Sequence, residues 1–320
     1  MKKTAAAAIL LLVTVSMLLA YDPRLSAMGG IGVGVSGTEM QSYANPAAVF
    51  FDDNSFTFAV NGTLGDVVGI DSWPCYPQAS AGAMFVASMI TAGMNVTYNA
   101  ENRRPNDHVD LIQDVRLDVN IAAGYGFLSA GVGVTGGSQM QRLDVPMKVI
   151  TDFPVQSLFA PFDRKVNSEY IQLRAGMMAR FGQFTVGILL DNMLQKTDSG
   201  VSFFWRRIFD GTGAGVFWSS PEYSARGRMN NLVYSAGAEV RNIFKPSERT
   251  LNAGAEVRLR FVRDSGVSVR AGYSALFDSL GKGTVTAGLG VTLGHFEFAG
   301  NADFPIGGHA VLRASVTALF

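Results

Sequence analysis

The chain has 320 residues with 26 basic and 26 acidic side chains, a formal net charge of zero, so no electrostatic case for nucleic acid follows. Charged residues are only 16% against 48% hydrophobic, yet beyond the amino-terminus no apolar run approaches the ~20 residues of a membrane helix. Apolar surface spread through alternating segments points to strands, and the 36 glycines fit many turns and close strand packing. Cys75 is alone, which excludes an internal disulfide and a lipid-attachment cysteine after the leader. His108, His295 and His309 are widely separated and lack metal-ligand spacing, and no cofactor is expected.

The leader comes first. Met1-Lys-Lys-Thr and the apolar run from Ala5 to Leu19 form a basic head and a core too short for a stop-transfer helix. Residues 1–20 read as an export signal with Ala20 the last residue removed. Losing Lys2 and Lys3 leaves 24 bases against 26 acids.

Residues 21–53 are rich in glycine and precede the first strand on its periplasmic side. Gly32, Gly34 and Gly37 have the G-x-G-x-x-G spacing without βαβ surroundings, so a dinucleotide site is rejected. Asn45-Pro46-Ala47 reads either as a hinge or as a rigid turn, since proline restricts the residue before it and asparagine caps turns.

Residues 54–320 divide at period two into about fourteen strands, over 55–64, 80–88, 91–99, 115–125, 127–135, 170–181, 184–191, 223–229, 231–243, 251–261, 267–276, 285–293, 296–304 and 310–320. In 251–261 the outer face is Leu251, Ala253, Ala255, Val257, Leu259 and Phe261, against Asn252, Glu256, Arg258 and Arg260 inside. The last strand stops on Phe320, the kind of end that barrel-assembly machinery takes up. An even count of tilted segments about ten residues long is the pattern of a transmembrane antiparallel β-barrel among outer-membrane lipids.

Tight connections at Gly126, Gly182-Gln183, 263–266 and Gly294-His295 fall on one side, the periplasmic one if the carboxy-terminus is periplasmic. The same walk puts Tyr125, Phe181, Phe261, Phe296 and Phe320 at one membrane boundary, as an aromatic girdle. Arg116, Asp118, Arg174, Arg180, Glu239, Arg241, Glu256, Arg258, Arg260, Arg270, Glu297, Asp303 and Arg313 fall on inner faces, where opposite charges pair.

Two long outer loops, 136–169 and 192–222, carry aromatics that are costly in water unless they cover one another or receive an apolar ligand. These are Phe153, Phe159 and Phe162 in one loop, and Phe203, Phe204, Trp205, Phe209, Phe217 and Trp218 in the other. Arg206 and Arg207 stand among them and suit a carboxylate by paired hydrogen bonds, or a phosphate at the membrane surface. Asp107, His108 and Asp110 sit in a charged outer loop with Arg103 and Arg104 and read as solvated, not catalytic, so no enzyme is expected.

Ser26-Ala-Met-Gly-Gly-Ile-Gly-Val-Gly-Val35 and Ser42-Tyr-Ala-Asn-Pro-Ala-Ala48 resemble the start of FadL-type outer-membrane transporters and their PorV-like relatives. Gly-Ala-Glu-Val at 254–257 and Arg-Ala-Gly-Tyr at 270–273 are similar to strand motifs of that family. The resemblance implies an all-β fold, a 14-stranded barrel with residues 21–53 as a hatch inside the lumen, and Gly29, Gly30, Asn45, Pro46 and Ala47 at the gate. It further implies uptake of long-chain fatty acids or other hydrophobic small molecules, with release through an opening at strand three. The alternatives are a PorV-like docking or shuttle component for secreted proteins, and a general porin, which a hatch would obstruct.

Overall fold

The computed structural model describes residues 23–35, 45–51, 56–67, 76–87, 89–103, 108–146, 165–191, 194–197, 200–203, 211–221, 223–224, 231–262, 265–308 and 310–319. The leader with Ala20, Cys75, Phe320 and most of the loop aromatics lie outside these residues. A short helical turn, Pro23–Ala27, and a 3-10 turn, Pro46–Phe51, precede the strands. The first seven strands are β1 Phe56–Val67, β2 Tyr76–Ala87, β3 Ile90–Arg103, β4 His108–Tyr125, β5 Leu128–Pro146, β6 Lys165–Phe181 and β7 Phe184–Leu190. Then come β8 Leu194–Thr197, β9 Gly200–Phe203, β10 Gly213–Ser219, β11 Tyr223–Ser224 and β12 Asn231–Arg241. The last are β13 Thr250–Val262, β14 Ser265–Leu276, β15 Thr284–Leu293, β16 Phe296–Pro305 and β17 Val311–Leu319.

All pairings are antiparallel, and all join sequence neighbours except three, β1 with β17, β7 with β10 and β10 with β12. β10 pairs with β7 on one side and β12 on the other. Apart from the small β8–β9 hairpin and the two-residue β11, each strand therefore has a hydrogen-bonded neighbour on both edges. Over the length that the shorter strands share, the backbone groups are paired on both edges, the condition for standing in hydrocarbon, while residues 165–174 of β6 extend past β7 and pair with β5.

The burial pattern is the reverse of a water-soluble sandwich. On β4, Val119 and Ile121 are 42% and 51% exposed, while the alternating Asp118 and Asn120 are 2% and 0% exposed. The same inversion recurs on β13, where Asn252 and Glu256 are buried and Val257 and Phe261 face outward. A belt of outward aliphatic side chains over a polar interior is a surface built for lipid.

Three tight turns carry a glycine at positive φ, Gly126, Gly182 and Gly294, where a side chain would be strained. Tyr125, Phe127, Phe181, Phe184, Phe261 and Phe296 stand exposed at the strand ends beside the tight turns, Phe127 and Phe181 with ring centroids 5.4 Å apart. The expected girdle is present at this edge.

Three expectations are corrected. The strand that joins β7 to β12 is β10, which falls inside the segment read as an outer loop; of the strand read over 223–229, Tyr223–Ser224 pair with β12 as β11 and 225–229 lie outside the described residues. The glycines at 213 and 215 hid its alternation, because an inner face without side chains leaves no polar signal. β5 and β6 continue to Pro146 and from Lys165, so both ends of the loop read over 136–169 are paired strand, and residues 147–164 lie outside the described residues. Arg103, His108 and Asp110 likewise stand in the β3–β4 hairpin, where Arg103 and Asp110 are opposite each other in the backbone ladder. Backbone pairing between strands, which single-strand periodicity does not register, carried these extensions. The wall is consequently uneven, 19 residues long at β5 and 7 at β7 and β10.

Replacing Ile121 by Arg is expected to cost about 2–4 kcal/mol of stability if β4 faces the middle of a bilayer. Reversible unfolding from lipid vesicles measures it, and a cost below about 0.5 kcal/mol would mean that this face meets water.

Candidate functional site

The inner faces of the strands are built to receive residues 23–35 and 45–51. The two family-like motifs are direct neighbours, since Gly254 pairs with Gly272 and Glu256 with Arg270 across β13 and β14. The glycine pair lets the Met28-Gly29 backbone lie against the wall, and a methyl group at Gly254 would collide with the Met28 carbonyl. Gly29 itself has φ of +75°, a conformation that favours glycine. Its N–H donates to Thr286 Oγ1 at 3.1 Å, and that hydroxyl donates to the Ala27 carbonyl at 2.9 Å.

Electrostatics fix the segment beside these glycines. Arg24 Nη2 lies 2.8 Å from Glu256 Oε2, and Arg258 and Arg270 approach the other carboxylate oxygen at 3.0 and 3.1 Å. Arg270 also pairs with Glu297. A carboxylate this buried is tolerable only when ringed by such donors.

Glu239 on β12, 3% exposed, accepts the N–H groups of Gly32 and Val33 at 2.6 and 2.7 Å from one oxygen. Its other oxygen takes Asn252 Nδ2 at 3.1 Å and Arg241 Nε at 2.5 Å. Arg241 Nη2 reaches the Gly30 carbonyl at 3.3 Å. Leu25, Met28, Ile31 and Val35 pack with Phe217 into one apolar cluster.

Asn45 joins the two parts of the segment. Its Nδ2 donates to the Val33 carbonyl at 2.7 Å, and its Oδ1 accepts the Ala47 N–H at 3.0 Å, an Asx turn. Ser129 on β5 donates to the Ala47 carbonyl at 3.0 Å. Ala47, Ala48 and Phe51 pack on Met178, and Phe50 covers Met84 and Ala122.

Of the expected gate residues, Gly29, Gly30, Asn45, Pro46 and Ala47 all belong to this segment on the inner wall. Among the expected ligand residues, Phe153, Phe159, Phe162, Phe204, Trp205, Arg206, Arg207 and Phe209 lie outside the described residues, and Phe203 ends β9. Phe217 and Trp218 are strand residues, not loop residues. Phe217, 4% exposed, faces inward beneath Met28 and Ile31. The Trp218 indole N–H donates to Gln183 Oε1 at 3.1 Å beside a tight turn, at the end of the wall away from the long loops. Seven residues of β10 run the length of β7, which period counting in a glycine-rich stretch did not register.

Thr286, Ser129 and Asn252 were missed as contact residues because small polar groups on an inner face carry no individual signal. The glycines at 254 and 272 did carry one, since glycine inside a strand marks close backbone approach. The β3 ladder runs against β2 and β4 without a register shift, so the implied opening at strand three has no interruption there. Shifts occur instead at Val109/Leu111 and at Arg260/Val262.

Glu239→Ala leaves two buried N–H groups without their charged acceptor, each bond worth about 1.5–3 kcal/mol. Amide exchange at Gly32 and Val33 should accelerate roughly a hundredfold or more, with Gly29 much less affected. Equal protection in wild type and variant would remove Glu239 from the anchorage.

No family model and no curated protein matches the chain. Among solved structures, the CymD monoaromatic hydrocarbon channel has a TM-score of 0.68 at 12% identity, over 94% of this chain and 97% of that one. The toluene transporter TodX of P. putida has a TM-score of 0.59 at 11% identity, over 94% and 98%. A Pseudomonas aeruginosa FadL homologue has a TM-score of 0.58 at 10% identity, over 95% and 99%. With its lipid-facing wall and its inner glycine seats, the chain has the fold of the FadL-type outer-membrane β-barrels.

Proposed function

We propose that this protein is an outer-membrane channel for uptake of hydrophobic small molecules, with residues 21–53 as the hatch that gates it. One observation carries the reading. The segment lies inside on directional bonds to a few side chains, chiefly Glu239, Glu256, Thr286 and Ser129, together with two small apolar clusters at Phe217 and Met178. Hydrogen bonds of this kind exchange readily for water or for one another, so a movable stopper is physically reasonable. A general porin would not need one.

The neighbours of this fold include a monoaromatic hydrocarbon channel, a toluene transporter and a FadL homologue, which supports apolar cargo. Toluene-like aromatics and long-chain fatty acids are the two candidate classes. Capture in this reading falls to the aromatic segments 153–162 and 203–209, with Arg206 and Arg207 suited to a carboxylate head. Transfer of each methylene out of water contributes roughly 0.8 kcal/mol, so affinity requires few polar contacts.

The hatch is tested by a lock. In a Cys75→Ser background, Ala47→Cys with Ser129→Cys joins two residues whose carbonyl and hydroxyl are 3.0 Å apart. Cells carrying the oxidised pair should take up labelled toluene or oleate no faster than an empty-vector strain, and reduction should restore the rate. Full uptake through the oxidised pair would refute gating. Wild-type uptake at the empty-vector level for both probes would refute transport.

A further inference from the structure

The 3-10 turn Pro46–Phe51 ends on two phenylalanines, and their rings meet edge to face with centroids 5.4 Å apart at 75°. Both rings rest on the wall. Phe51, 8% exposed, packs with Ala47 and Ala48 on Met178 of β6. Phe50 is half-buried and packs on Met84 of β2 and Ala122 of β4, beside Val86. Its ring also lies over the bare backbone of Gly124, where an added Cβ would stand 2.6 Å from Cδ1 and 2.7 Å from Cε1. Gly124, Ala122, Met84, Val86 and the neighbouring Phe51 ring thus make a seat for one flat ring.

This seat is unlike its surroundings. Among the described wall residues, the buried large apolar side chains are Met84, Met178, Leu189 and Phe217, against a lining of asparagine, threonine, serine and charged residues. Methionine suits such a place, because its unbranched thioether adapts to different guests and its sulfur is attracted to aromatic rings.

The ties of each half decide which one an apolar molecule can displace. Besides their apolar cluster, residues 23–35 have carboxylate ties to Glu239 and Glu256, and no hydrocarbon can take over those bonds. Residues 45–51 are held by neutral hydrogen bonds and by hydrocarbon contacts. A phenylalanine side chain is a toluene tethered to the backbone, so a free ring of that size makes the same contacts with Gly124, Met84 and Ala122. Exchange of like for like leaves the guest weakly held, as passage requires. We propose that the Phe50 seat is a binding site for a monocyclic aromatic hydrocarbon, occupied in the resting protein by Phe50 itself and opened when a guest replaces it. A ring with a carboxylate is refused, since the side chains that form the seat carry no hydrogen-bond donor. The proposal rests on the uptake reading for its biological meaning and gives a site to one of its two candidate classes.

The test titrates para-fluorotoluene, para-fluorobenzoate and a fluorinated methylcyclohexane into the chain in lipid nanodiscs, followed by fluorine NMR with empty nanodiscs as the blank. Wild type should bind para-fluorotoluene about fivefold tighter than the saturated ring and tenfold or more tighter than the benzoate. Phe50→Ala removes the resident ring and should tighten para-fluorotoluene about tenfold or more. Phe50→Leu should do so by less, and it sustains the test if the alanine variant does not fold. Adding Gly124→Ala to either variant should reverse the gain, because the new methyl stands where the ring lies. A ring bound by Phe50→Ala and not by wild type would mean an artificial cavity and would overturn the proposal. Unchanged affinity in the Phe50 variants, or benzoate held as tightly as fluorotoluene, would overturn it too. Failed uptake in cells with wild-type, Gly124-dependent binding removes the transport reading and keeps the site, whereas intact toluene uptake without binding at the seat does the reverse.

Discussion

A backbone in hydrocarbon has no water to bond with, so every N–H and C=O must find its partner inside the protein. From that constraint comes the double pairing of β10 with β7 and β12, which leaves neither strand with an open edge at that point. The inversion of the side chains also follows. With lipid outside, the aliphatic residues of each strand turn outward, and the interior collects the polar ones.

An interior of that kind is expensive to leave unpaired. The arginines and carboxylates of β12 to β16 therefore form mutual pairs, with Glu256 between Arg24, Arg258 and Arg270, and Glu239 between Arg241 and the backbone of the segment. Replacing one partner would strand the others, which makes the network cooperative. Arg24 is the member that belongs to the segment, so the anchorage of residues 23–35 and the satisfaction of the wall depend on each other. Residues 45–51 are held differently, by the Asn45 amide on the Val33 and Ile188 carbonyls, by Ser129 and by small apolar contacts on β2, β4 and β6. The two halves thus rest on different arcs of the wall with unequal ties.

Much of the barrel could be read before any coordinates. The strands over 251–261 and 267–276 were legible because their two faces differ sharply in chemistry, and β13 buries Asn252 and Glu256 as the alternation requires. The tight turns were legible through glycine, and three of them have positive φ. β10 was not legible, because glycines at 213 and 215 remove the contrast between faces. Nor was the length of β5 and β6, since hydrogen bonds between partners continue a strand past the point where its own pattern fades.

By itself the sequence determined fold class, strand direction, which residues face inward, and that a glycine-rich segment precedes the wall, because these depend on local period and on residue type. Only the tertiary structure decided which inner residues touch that segment. Gly254 and Gly272 become a seat because register sets them side by side, and Glu239 becomes a clamp because Gly32 and Val33, more than two hundred residues away, come to lie against it. Phe217 moved from an expected capture loop to the support of Met28 and Ile31 for the same reason. Contacts across such distances follow from how strands align around the wall, and no stretch of sequence contains that alignment.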